Sequence, residues 1–240
     1  MKDKDIVYFC KEADINEELT YSLRSIEKNF PHRKVWIYGG CPENIKESYH
    51  VHVFQKGATK WDRVRDMLKR VALNDDITED FYLFNDDFFI IKPIKEMPVY
   101  YRCSLPDHIL HTEIKHNDHI VPYTRQLRRT YKMLLSLDKP FLSYELHLPF
   151  MYNRKKLLEL VETYPNLRAT RSLYGNYYKV GGTKMGDVKV FSTQEPIIDY
   201  GVDNIDTSFL STDDRAWRRD KMHVSSYIKS LFPEKSVYEK

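Results

Sequence analysis

The sequence predicts an α/β fold built on a mostly parallel sheet. Short apolar runs alternate with helix-period stripes through the first hundred residues, and strands separated by helices pair in parallel through right-handed crossovers. Bulk points the same way: 42% of the 240 residues are hydrophobic and 14% aromatic, enough for a sizeable core and opposed to disorder.

Residues 6–10 are a short apolar run, hence a strand. Asp14 and Glu17 have capping-box spacing, and Leu19, Leu23, Ile26 and Phe30 then recur at helical spacing. Residues 34–38 (KVWIY) read as a second strand ending in Gly39-Gly40, and 51–55 as a third, shorter one. Trp61, Val64, Leu68 and Val71 form another helical stripe. The next strand begins at 81–84, runs into Asn85-Asp86-Asp87 and resumes as FFII before Pro93. The second half is less regular. Residues 106–123 read as a hairpin or a loop carrying His108, His111, His116 and His119. Helices are expected over 124–137, 153–163 and 215–231, and 172–207 reads as loops and short strands. With no repeat, low-complexity tract or linker, one domain over 1–240 is the expectation.

Several function classes recede. A net charge of +3 does not by itself indicate nucleic acid, although a phosphate-rich ligand would account for some of it. The basic clusters at Arg125, Arg128 and Arg129 and at Arg215, Arg218 and Arg219 lie in expected helices and read most simply as solvated faces. Cys10, Cys41 and Cys103 are far apart and lack CxxC spacing, so neither a disulfide framework nor a zinc site is expected, and a reducing cytoplasm is the simple inference. No signal-like leader and no run of ~18 apolar residues occurs, so any membrane association is expected to be peripheral. The four histidines of 106–123 have no carboxylate or Cys at a familiar ligand spacing. The absence of GxxxxGK[ST], GxGxxG and GxSxG lowers nucleotide-triphosphatase, dehydrogenase and serine-hydrolase readings.

Asp86 and Asp87 stand out because FYLF precedes them and FFII follows. Adjacent carboxylates in such a setting repel and lose hydration. Mg²⁺ or Mn²⁺ would relieve both penalties and bridge to phosphate oxygens; a plain β-turn is the simpler alternative. His147 heads a segment in which Asn153 can cap a helix from Arg154. It is a candidate general base at a loop-to-helix entry, or else a structural His. Arg168 and Arg171 could clamp a diphosphate through bidentate hydrogen bonds. Asp213-Asp214 is a second acidic pair, read either as a helix cap or as a further source of metal ligands.

Four stretches, in order, resemble the Stealth-type sugar-phosphate transferases, which include bacterial capsular polysaccharide phosphotransferases and the catalytic subunit of the lysosomal-enzyme N-acetylglucosamine-1-phosphotransferase. NEELTYSLRSIE (16–27) is similar to the family's ELRYSLRSIE helix, and FYLFNDD (81–87) to its FLYLNDD strand. HLPFMYNR (147–154) resembles its HxP segment, and FLSTDD (209–214) with FPEKSVYE (232–239) its closing block and FPxPSxFE tail. The resemblance implies a GT-A-like sheet flanked by helices, as in nucleotide-sugar glycosyltransferases, with a less regular C-terminal half. Residues 1–100 would bind the nucleotide-sugar, and 101–240 would supply acceptor and catalytic groups. By position, Asp86 or Asp87 and Asp214 would hold metal, Asp87, His147 and Arg171 would serve catalysis, and Arg171 would also bind phosphate; Arg24 and Arg168 are further candidates for binding the donor.

The implied reaction moves a sugar-1-phosphate from a UDP-sugar to a hydroxyl of a glycan or other acceptor. A glycosyltransferase moving the sugar alone, and a non-catalytic nucleotide-sugar- or carbohydrate-binding module, are the alternatives.

Overall fold

The computed structural model describes residues 4–54, 56–57, 59–117, 119–166, 168–191, 207–219 and 224–240. The chain runs β1 (Asp5–Cys10), α1 (Glu17–Asn29), β2 (Val35–Gly39), β3 (His50–His52), α2 (Lys60–Ala72), β4 (Asp80–Asn85), β5 (Phe88–Ile90), β6 (Tyr100–Tyr101), α3 (Leu105–Lys115), α4 (Pro122–Ser136), β7 (Phe150–Asn153), α5 (Arg154–Thr163), α6 (Thr170–Tyr177), β8 (Thr183–Lys184), β9 (Lys189–Val190), β10 (Phe209–Thr212), α7 (Asp214–Arg218) and α8 (Val224–Leu231).

The main sheet has the order β3-β2-β1-β4-β7. Its first four strands are parallel, and β7 pairs antiparallel with β4. Alternation along each strand feeds two cores. Ile6, Tyr8, Val35, Ile37, Tyr82 and Phe84 face α1, with Leu19, Leu23 and Ile26. Val7, Trp36, Tyr38, Phe81 and Leu83 face the other way, toward Leu68 and Val71 of α2 and Leu157 and Leu160 of α5. Each fully buried aliphatic side chain contributes roughly 1.5–3 kcal/mol, against ~1 kcal/mol for a cap. Packing therefore seats these helices, and caps set where they begin.

FFII does not continue β4. The backbone turns at Asp86-Asp87, and β5 enters a second sheet of order β5-β10-β9, whose Phe89 and Leu210 form a third core with Trp217 and Ile228. The outer edge of β5 is covered by a buried polar stripe of α1. Ser25 Oγ accepts from Ile90 N, Asn29 Nδ2 donates to the Ile90 carbonyl, and Ser22 Oγ donates to the Phe88 carbonyl. These bonds satisfy strand groups that no neighbouring strand reaches.

Several expectations change in detail. Asn16 rather than Asp14 caps α1. On α2, Val64 is exposed and Met67 takes its place in the core. Residues 105–115 are a helix instead of a hairpin or loop: Ser104 caps it by accepting from Asp107 N, and Pro106 sits in its first turn, where no N–H is required. His108 is buried there, while His111, His116 and His119 are exposed. Residues 170–177 are helical rather than loop. HLPF leads into β7 before α5, because Phe150 and Tyr152 alternate into the core. Asn153 does cap α5, accepting from Lys156 N. Within 215–231 two helices lie on either side of 220–223, which fall outside the described residues, as do 192–206 of the expected loop segment.

Candidate active site

The carboxyl ends of β1, β2, β3 and β4 share one edge of the sheet. β2 and β3 lie on one side of β1 and β4 on the other, so the winding reverses between β1 and β4. Such a reversal opens a crevice beyond the strand ends where ligands bind. Asp86 stands there, just past β4. Asn16, at the start of α1 beyond β1, donates Nδ2 to Asp86 Oδ2 at 2.8 Å while its Oδ1 accepts from Leu19 N at 2.9 Å. Asp and Asn cap helices about equally, but only Asn has a donor left to offer a carboxylate. Burial raises the Asp86 carboxyl, the neighbouring Asp87 charge raises it further, and the Asn16 bond opposes both.

Asp87 turns toward Lys189, whose Nζ lies 2.8 Å from Oδ2. Its Oδ1 is buried without a hydrogen-bond partner among the described residues, and so is Oε1 of Glu18 on α1. Burial, a hydrogen bond with Asp214 and the charges of Asp86 and Asp87 push the Glu18 carboxyl up to about 9. Glu18, Asp86, Asp87 and Asp214 thus form one electrostatically coupled group. Asp5 provides the contrast. It is fully buried at the opposite edge of the sheet, but its oxygens accept from Arg33 at 2.7 and 2.6 Å and from Trp36 Nε1 at 2.8 Å. A buried carboxylate with every need met fits a structural role, whereas the orphan buried oxygens make Asp87 and Glu18 candidates for a functional site.

The two acidic neighbours after β10 divide their work. Asp213 is the N-cap of α7, accepting from Ala216 N at 2.7 Å, whereas Asp214 faces Glu18. Asp213→Asn is therefore expected to leave stability and ion affinity unchanged, because Asn caps as well, and Asp213→Ala to cost ~1 kcal/mol. Asp214→Asn is expected to weaken Mn²⁺ binding with little change in melting temperature. Calorimetric titration beside thermal unfolding reads both, and equal Mn²⁺ affinity in the Asp213→Asn and Asp214→Asn proteins would refute the division.

His147 lies between Leu146 and Leu148, ahead of β7, and is about one-third exposed, with a side-chain exposure of 36%. Asp187 Oδ2 is 2.8 Å from its Nδ1, and Oδ1 accepts from its backbone N at 3.2 Å. Burial works to raise the Asp187 carboxyl, but the bonds and charge of His147, with the charge of Arg102, outweigh it and hold the carboxyl at about 2. An ionised carboxylate only accepts, so Nδ1 is the donor in this bond, and in the neutral ring Nε2 would be the acceptor. Arg102 Nη2 donates to Asp187 Oδ2 at 2.6 Å, and its Nη1 donates to His108 Nε2 at 3.1 Å. His108 is lowered to about 4 by burial and by Arg102, so it is neutral and can accept that bond.

The arginines expected to bind the donor are engaged elsewhere. Arg24 forms a two-pronged pair with Glu239, at 2.8 and 2.7 Å, and donates to the carbonyls of Phe232 and Pro233, fastening the C-terminal residues onto α1. Arg168 pairs with Asp62 at the start of α2, at 2.6 Å. Arg171 donates Nη1 to the carbonyls of Leu146 and Leu148, on either side of His147, and its guanidinium lies over the Phe88 ring. Three residues apart at a helix entry, Arg168 and Arg171 thus bond to different elements, Arg168 to α2 and Arg171 to the carbonyls that flank His147.

No family model and no curated protein matches this chain. Among solved structures it is similar to an active-site mutant of LgtC (TM-score 0.51, 11% identity, covering 97% of this chain and 96% of that one). It is similar also to the galactosyltransferase LgtC in complex with donor and acceptor sugar analogs (TM-score 0.50, 11% identity, with the same coverage). The fold is GT-A-like. At this identity the likeness concerns architecture, and the chemistry must be argued from this chain's own side chains.

Sequence reading missed Glu18, Asn16, Asp187, Arg102 and Lys189. Glu18 had a signal: Glu18, Ser22, Ser25 and Asn29 recur at spacings of four, three and four, a polar stripe beside the apolar one on α1, and all four are buried. Asp187, Lys189 and Phe191 alternate with Val188 and Val190. That period-2 pattern marks a strand with one face in the site.

Among the described residues, no three His, Cys, Asp or Glu side chains are gathered as a ready coordination shell. Among the same residues, no helix is long and apolar enough to cross a membrane.

Proposed function

We propose that this chain is a divalent-metal-dependent transferase that uses a nucleotide-sugar donor, a UDP-sugar by preference, and moves a sugar-1-phosphate to an acceptor hydroxyl on a glycan. The observation that carries the reading is the coupled carboxylate group at the switch point, with buried orphan oxygens on Asp87 and Glu18. Oxygen ligands of this kind suit Mg²⁺ or Mn²⁺. Asp86, Asp87 and Asp214 would hold the ion, with Glu18 beside them. Once bound there, the ion would stabilise negative charge on the leaving phosphate.

The chain's own residues supply the rest. Nε2 of His147 accepts the proton of the acceptor hydroxyl, while Asp187 holds Nδ1–H and stabilises the imidazolium that results. Arg171 fixes the loop by its two carbonyl bonds, and Arg102 fixes Asp187. In this division the first hundred residues supply most of the donor's metal ligands, Asp214 adds one from the second half, and 101–240 bring the base and the acceptor. The acceptor oxygen bonds to the sugar-side phosphorus, the bond between the two phosphates breaks, and UMP leaves.

Plain glycosyl transfer is the second reading, favoured by the likeness to a galactosyltransferase. There the acceptor attacks the anomeric carbon and UDP leaves. Incubating the protein with several UDP-sugars, Mn²⁺ and candidate glycans, and quantifying UMP against UDP, separates the two. UMP in step with acceptor modification supports sugar-phosphate transfer, and UDP supports sugar transfer. Nucleotide-sugar binding with neither product leaves a binding module.

A further inference from the structure

Among the described residues, the cation that forms an ion pair with the carboxylate group is a lysine, and not one of the arginines assigned to phosphate. Arg24, Arg168 and Arg171 bond to Glu239, to Asp62 and to two backbone carbonyls. Lys189 Nζ instead lies 2.8 Å from Asp87 Oδ2, with side-chain exposures of 13 and 15% for the pair. Enclosing an ammonium and a carboxylate to this degree costs several kcal/mol of hydration per ion, yet the pair leaves Asp87 Oδ1 buried with no hydrogen-bond partner among the described residues. An ion pair optimised for stability would satisfy both oxygens, as Arg33 and Trp36 do for Asp5.

The backbone fixes where this lysine can act. Lys189 pairs with Ser211 in β9–β10, and Val188 and Val190 pack into apolar clusters on either side. Asp187, Lys189 and Phe191 therefore share the other face. Asp187 binds His147, Phe191 stands edge-on to the His147 ring, and Lys189 reaches Asp87. One short strand thus presents a cation between the metal-type carboxylates and the candidate base. That is where the phosphates of a donor must lie if the carboxylates hold its metal and His147 faces its acceptor. Lysine also suits an exchange of partners: it is a compact charge on a flexible stem, able to move between two oxygens without moving the strand.

We propose that Lys189 is the phosphate-binding cation of the donor site, exchanging its bond to Asp87 for one to a diphosphate oxygen as a divalent ion takes Asp87. This rests on the donor-site reading above and adds a role that the reading does not require.

The test is calorimetric titration of the full chain, first with Mn²⁺ alone and then with UDP at saturating Mn²⁺, for wild type, K189Q and K189R. Loss of a charge-assisted hydrogen bond is expected to weaken UDP roughly 10- to 100-fold in K189Q. Mn²⁺ alone is expected to bind several-fold tighter in K189Q, because Asp87 no longer has a competing partner. K189R is expected to recover part of the UDP affinity; it keeps the charge and guards against a K189Q protein that fails to fold. A merely structural lysine would lower melting temperature and both affinities together, and that outcome, or unchanged UDP affinity in K189Q, overturns the role while leaving the donor site standing. A wild-type protein that binds neither Mn²⁺ nor UDP removes the donor site, and this role with it.

Discussion

If the proposed metal site is correct, Asp86→Asn and Asp87→Asn are each expected to lower divalent-ion-dependent turnover by roughly 10²–10³-fold or more, the scale seen when one electrostatic stabiliser of a transition state is removed. Asn preserves shape and most hydrogen bonding, so what is lost is charge at the crevice. The two variants differ in stability. The Asp86 carboxyl is raised by burial and by Asp87, which means that its charge opposes folding. A group with a raised folded-state value loses stability as pH rises from its unfolded value through its folded one. Asp86→Asn removes that loss, and its amide oxygen can still accept from Asn16 Nδ2, so its melting temperature at neutral pH should equal or exceed that of the wild type. Asp87→Asn instead leaves the Lys189 ammonium without its carboxylate, and should melt lower. Turnover with and without EDTA, beside thermal unfolding at several pH values, gives the answer. Full wild-type activity in excess EDTA would remove the metal from the mechanism. An Asp86→Asn protein melting well below wild type would show that the carboxylate is structural.

How far the site was legible follows from the range of the interactions that build it. Asp86-Asp87 could be read because their anomaly is local, two charges inside FYLF…FFII. The backbone turns there, as the simpler β-turn alternative had it, and the same turn points the carboxylates at Glu18 and Lys189. The parallel sheet was legible because each strand is a short apolar run. Its antiparallel edge, β7, was not, because FMYN sits between an HxP segment and a helix cap and carries no turn signal of its own. Helix α3 was hidden by its histidines, although Ser104 and Asp107 had cap spacing and Pro106 a first-turn position. The protein partners of the arginines were hidden for a different reason. A guanidinium finds carboxylates and carbonyls as readily as phosphates, and only the fold reveals that Glu239 lies against Arg24, 215 residues earlier in the chain. The Asp187–His147 pair spans 40 residues and ends in a segment read as loops and short strands; nothing local in either residue announces the other.

Removing the imidazole of His147 should cut turnover ~10²–10⁴-fold, the usual contribution of a positioned general base, while Mn²⁺ and UDP affinities stay within a few-fold of wild type. The separation is expected because the carboxylates and Lys189 belong to β4, α1 and β9, whereas His147 stands on the loop before β7. Asp187 is held at about 2 and stays ionised throughout the working range. Asp187→Asn is the finer probe. An amide can present its NH₂ to Nδ1 and turn the ring to the tautomer with Nε2 protonated, which cannot accept the hydroxyl proton. The variant should therefore fall in kcat far more than in donor KM, although the cleft keeps its shape. It also has a stability signature. A carboxyl held below its unfolded value adds stability that is present above that value and is lost as pH falls through the folded one. Wild type should thus lose an increment between about pH 4 and about 2 that Asp187→Asn never had. A structural His147 gives the opposite result: His147→Gln would melt lower, and turnover per folded molecule would remain near normal. That measurement, made with UMP and UDP release followed separately, decides whether the dyad belongs to the chemistry or only to the fold, and near-normal turnover would shift the reading toward plain glycosyl transfer.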